Sequence, residues 1–215
     1  MAPNAAEIER WIRLIRVDAA LTLPATALPF PPSEGGFSDE RGNTRPVDAL
    51  LLAAMGHPEP ATPTYLGDMP DVRLWSAVLR SEEPVEPWLT PDPQEGPLLR
   101  HRSGTSLEVF TEAELCGLHA LWSLARLRSR TDWSRRCLDA AAWHIRELQP
   151  DNATNMPWGI HVFVLLGLRR GEPLAMIEAE SRLHNAKVSG GAPDRRSAWI
   201  LMHAAFELEH QLRSS

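Results

Sequence analysis

Proline placement constrains this chain more than any other feature. Fifteen of its 19 prolines lie between Pro3 and Pro97, and only Pro150, Pro157, Pro173 and Pro193 follow. Proline fixes φ and removes a backbone donor, so helices exclude it beyond their first turn. The first hundred residues therefore read as short helices on irregular chain. The remainder reads as long helices with prolines at their junctions. Residues 24–46 carry Pro-Pro, Gly-Gly and Arg-Gly-Asn, which are loop signals, and 82–97 form a second such stretch. Leu21, Leu23, Leu28, Phe30, Trp88 and Leu89 sit between these prolines. Apolar residues so placed favour an arm packed on a body. The expected division is residues 1–104 as a proline-rich arm and 105–215 as a helical-hairpin region, together one compact domain of ordinary size.

Ile8, Trp11, Ile12 and Ile15 make an apolar face at helical spacing, and Glu9 and Arg13 stand at i,i+4. The expectation is a helix that docks its Trp11 face on the body. Two prolines within the following apolar stretch, and acids around it, argue against a secretory signal. No apolar run approaches the roughly 20 residues needed to cross a bilayer. Two cysteines, Cys116 and Cys137, are too few for a disulfide framework, and the chain is expected to be cytoplasmic. The net charge of −6, from 28 acids and 22 bases, disfavours general nucleic-acid binding.

The second half predicts five helices. Thr111 and Glu114 have the spacing of a capping box at the start of the first. Asp132 is a candidate N-cap for the second. Asn155, with Pro157 behind it, opens the third. Pro173 opens the fourth, and Asp194 caps a fifth that ends near Arg213. Short links between such helices imply an all-α array of antiparallel hairpins. Aligning Thr111, Ala153 and Arg195 places His119, His161 and His203 in register, each 42 residues apart. Trp122, Val164 and Phe206 fall in register too. This period suits one helical hairpin per repeat, with the first, third and fifth helices equivalent.

The link Glu147-Leu-Gln-Pro-Asp-Asn-Ala-Thr-Asn-Met-Pro-Trp158 resembles those between outer and inner helices of α/α-toroid proteins, among them terpenoid cyclases and protein prenyltransferase β-subunits. Ser189-Gly-Gly-Ala-Pro-Asp-Arg-Arg-Ser-Ala-Trp199 is similar to their entries into inner helices. The resemblance spans roughly residues 105–213 and implies a fold, not an activity. The chain is too short for six hairpins, lacks the Asp-x-Asp-Asp acid of cyclising enzymes, and lacks an Asp-x-Cys zinc pair. It implies at most a partial toroid.

Candidate chemistry concentrates on the aligned histidines. Equivalent positions on neighbouring helices point toward a common axis, and helix axes stand roughly 8–10 Å apart. His119, His161 and His203 are therefore candidate zinc ligands with an open position for water, or else half-buried structural histidines. Trp122, Trp158, Trp199 and Asp151 complete a candidate pocket. Glu207 and His210 share a face with His203. Glu-x-x-His is a di-iron spacing, but the companion pairs Glu180/His184 and His144/Glu147 do not complete the set, so Glu207 is expected in a solvated last turn. Asp151, Asn152, Asn155, Asp194 and Ser197 read as capping residues. The eight tryptophans read as core or as an apolar ligand wall. Three functions follow: a helical-repeat module that binds a protein partner, a second copy of itself or an apolar small molecule; a tri-histidine metal hydrolase; or a metal-free toroid enzyme on a sugar or terpenoid, with Asp151 or Glu108 as acid or base.

Overall fold

A computed structural model of the chain describes residues 4–22, 46–56, 69–80, 83–91, 96–101, 103–148, 154–188 and 195–214. Among these, the chain is all-helical: α1 Ala5–Thr22, α2 Pro46–Ala54, α3 Pro70–Leu79, a 3-10 turn Glu86–Trp88, α4 Leu107–Leu127, α5 Thr131–Glu147, α6 Ile160–Arg170, α7 Pro173–Val188 and α8 Arg195–Arg213. Among the described residues no strand forms; Leu89 and Leu99 make one isolated antiparallel bridge. Leu23, Leu28, Phe30, Asp151, Asn152 and Asp194 lie outside the described residues.

Neighbouring helices of the second half pack pairwise, α4 with α5, α5 with α6 and α6 with α7. Helix α6 also touches α4 and α8. The described helices of the N-terminal half pack onto the body. Helix α1 buries Ile8, Trp11, Ile12 and Ile15, as their spacing predicts, and packs along α8. Helix α3 packs on α4, and α2 on α3 and α8. Arg196 at the start of α8 ties these layers together, with Nε 2.9 Å from Asp48 on α2 and Nη2 3.1 Å from Glu112 on α4.

Three helix starts differ from the sequence expectation. Helix α4 begins four residues before Thr111, and its cap is Ser106, whose hydroxyl accepts from the Val109 amide at 3.5 Å. Thr111 and Glu114 are instead fully buried inside the helix. Helix α5 begins at Thr131 after Arg130, so Asp132 stands in its first turn, where Arg130 holds it at 2.7–2.9 Å. Helix α6 begins after Gly159 rather than at Asn155. Gly159 has φ +72°, a left-handed conformation that glycine adopts without penalty and that cannot continue inside a helix. The turn before it drives Trp158 into the core.

Candidate functional site

The three aligned histidines meet. His119 of α4, His161 of α6 and His203 of α8 are all buried, with ring centroids 4.3 Å apart for His119 and His161 and 5.0 Å for His119 and His203. Trp158 stands edge-on to His119 at 5.5 Å, and Trp122 edge-on to His161 at 6.1 Å. Trp199 is buried on α8, one turn before His203. Trp75 of α3 completes the cluster, 5.6 Å from His119, 5.9 Å from Trp158 and 5.5 Å from His203. Its indole N–H reaches Cys116 Sγ at 3.2 Å. Trp75 was not among the residues expected here. Its signal lay in the apolar stripe of α3, which nothing local connects to α4 or α8.

Hydrogen bonding orders the protons of two rings. The Gly159 amide can only donate, and it reaches Nδ1 of His119 at 3.3 Å. Burial holds His119 well below the ordinary histidine pKa, so the ring is neutral with its proton on Nε2. That N–H donates to Nδ1 of His203 at 2.9 Å, which leaves the proton of His203 on Nε2. Burial lowers His203 to about 4 and His161 to about 3. Both nitrogens of His161 are buried without a hydrogen-bond partner among the described residues. Among those residues, no group of three or more His, Cys, Asp and Glu side chains is placed to hold a metal ion.

Glu207 closes the cluster from below. It is fully buried, which corrects the expectation of a solvated last turn. Ser123 donates to Oε1 at 2.8 Å, and Arg126 grips both oxygens at 2.9 and 3.0 Å. Against the cost of burial, these bonds and the positive charge of Arg126 lower the Glu207 pKa. Phe206, in register with Trp122, is instead exposed on the outer side of α8. Glu108 is exposed in the first turn of α4. Glu180 and His184 are exposed on α7.

A second buried carboxylate was not anticipated. Glu114 accepts from the amides of Leu98 and Leu99 at 2.7 and 2.8 Å, from His101 Nε2 at 2.7 Å and from His144 Nε2 at 2.8 Å. Burial alone would raise its pKa, but these donors prevail and lower it to about 2. It pins the segment after the 3-10 turn to α4 and α5. The sequence signal was an acid inside an apolar helical stripe, between Thr111 and Leu118, which the capping-box spacing disguised.

Both cysteines are buried and neither forms a disulfide. Burial raises the Cys137 thiol far above its ordinary pKa, which suppresses the thiolate. Six of the eight tryptophans are buried, and their neighbours are core residues. Comparison with family models, with curated proteins and with solved structures finds no match to this chain.

Proposed function

We propose that the chain is a non-catalytic helical module that binds at its surface. The observation that supports this is the burial of the histidine, carboxylate and thiol candidates gathered in the core. His119, His161, His203, Glu114, Glu207, Cys116 and Cys137 are at most 3% exposed. A general acid or base must come within hydrogen-bond reach of its substrate, and burial keeps these groups from one. The surface exposes apolar pairs one helical turn apart, Leu14 with Val17 on α1 and Leu174 with Ile177 on α7, which a protein partner or a second copy would cover. On the same reading α4, α6 and α8 are the equivalent inner helices of a partial toroid-like array, wrapped by a proline-rich arm. Their histidines, 42 residues apart, support it. Buried thiols that form no disulfide are in keeping with a cytoplasmic setting.

A second reading is favoured by His161 alone. Its two orphaned nitrogens beside His119 and His203 are what a metal or a trapped water would satisfy. A zinc ion held there would take a lone pair from each ring and would break the His119–His203 bond. Amide exchange and elemental analysis separate the readings. In a binding module, mid-helix amides of α4, α6 and α8 exchange only through global unfolding. The purified protein then carries well under one metal per chain. Sub-global opening of α4 and α6, or stoichiometric zinc that His161→Ala removes, would overturn the module reading.

A further inference from the structure

A cleft of about 460 Å³ opens beside the histidine cluster, where the C-terminal ends of α4, α6 and α8 meet the first turns of α5. Three of its lining residues are arginines, Arg126, Arg135 and Arg169, and among the described lining residues none is a carboxylate. In a chain with 28 acids and 22 bases, such a cluster of guanidinium groups is a local reversal of charge.

The arginines are not equivalent. Arg126 is neutralised by Glu207 behind it. Arg169 lies over the ring of Trp122 at 5.6 Å and donates to the side-chain oxygen of Gln211. No carboxylate among the described residues pairs with it. It is partly buried, and burial lowers its pKa. A partly desolvated cation without a counter-ion is costly unless an anion joins it. Arg135 is exposed at the rim.

Trp122 forms part of the lining, and its ring makes an aromatic floor beneath Arg169. Ser129, also in the lining, has φ +53°, at the helix-ending position where glycine or asparagine is usual. Arg130 N–H closes that turn onto Ala125 O at 2.8 Å. A glycine would hold this turn at no cost, and serine adds a hydroxyl to the cleft. Thr131 and Ser134 add two more from the first turn of α5. Among the described lining residues the charged side chains are all guanidinium groups, and the hydroxyls stand beside them.

We propose that this cleft binds the oxyanion group of a small molecule, a carboxylate or a phosphate, clamped by Arg169 and Arg135 above Trp122. Guanidinium forks match both groups in bidentate geometry. The proposal names the ligand class for the surface-binding reading above and rests on it.

Isothermal titration of the full chain with inorganic phosphate, and separately with succinate, tests it at low salt, with chloride at matched ionic strength as the blank. Saturable binding of at least one anion is expected; phosphate binding alone or succinate binding alone identifies the source. Arg135→Gln, at an exposed position, is expected to keep the wild-type melting temperature and to weaken binding about tenfold. Arg169→Lys keeps the charge but loses the fork, and is expected to weaken binding by a similar factor. Saturation by neither anion, or unchanged affinity in Arg135→Gln together with Arg169→Lys, would overturn the proposal. If Arg169→Lys fails to fold, Arg135→Gln alone decides. Failure here leaves the amide-exchange and metal results unaffected, so the module reading falls only by its own test.

Discussion

Glu207 carries a full charge in the interior because Arg126 accompanies it. Removing the cation alone leaves a buried carboxylate with only the Ser123 hydroxyl, next to three neutral imidazoles. Breaking a buried pair from one side costs about 3–5 kcal/mol, and Arg126 keeps some solvent contact, so Arg126→Ala is expected to cost about 3 kcal/mol in urea unfolding at neutral pH. The double variant Arg126→Met with Glu207→Met removes both charges and is expected to recover most of that loss. A double variant as unstable as the single one would show that the charge balance is not what Arg126 provides. The partners of these buried acids were not legible from the sequence. Glu207 looks like any last-turn acid, and the stripe around Glu114 was disguised by its capping-box spacing. Their partners are Arg126, 81 residues away, and His101, His144 and the Leu98–Leu99 amides, 13 to 30 residues away. Contacts so distant leave no mark on local spacing.

Legibility was much better for whole helices. That His119, His161 and His203 reach the core together is legible because each belongs to an apolar stripe, and a stripe must face the core. Helix starts were less legible, because a cap pattern competes with tertiary demands on the same residues. Thr111 and Glu114 have cap spacing, but burial recruited both into the middle of α4. The same helix shows a close approach that needs glycine. A Cβ built on Gly117 would stand 2.7 Å from Cδ1 and 2.9 Å from Cδ2 of Leu99. Leu99 has little room to yield, since its amide is bonded to Glu114 and its side chain is buried. Overpacking of this kind costs about 1–3 kcal/mol, against the roughly 1 kcal/mol that alanine gains over glycine in a helix. Gly117→Ala is therefore expected to lower the melting temperature by a few degrees. Leu99→Ala in the Gly117→Ala background is expected to cost less than Leu99→Ala alone. A Gly117→Ala protein at least as stable as wild type would remove the contact as a constraint.

Over the whole molecule, neutral buried histidines make stability depend on pH. Burial lowers His203 from 6.5 to about 4 and His161 from 6.5 to about 3, and His119 well below 6.5. In the unfolded chain these rings take protons near pH 6.5, whereas the folded chain refuses them until the pH falls much further. Between these values the unfolded state binds more protons, so stability rises with pH and is lost on acidification. The contribution is complete above about pH 6.5 and declines as pH falls toward about 4. Glu114 acts in the same direction over a lower window, because its pKa falls from 4.5 to about 2 and its share is lost as pH drops between those values. The two groups can be told apart by where the slope lies. Urea midpoints are expected to fall steeply between about pH 6.5 and about pH 4, by the equivalent of several kcal/mol in total. His161→Phe removes one titrating ring and its two orphaned nitrogens, and is expected to flatten that slope without changing the acid limb below it. Glu114→Gln is expected to lower the whole curve above its pKa and to remove part of the acid limb. A wild-type profile flat between pH 7 and pH 5 would mean that the three rings are already charged or exposed in solution, contrary to a core in which they stand neutral around Trp75.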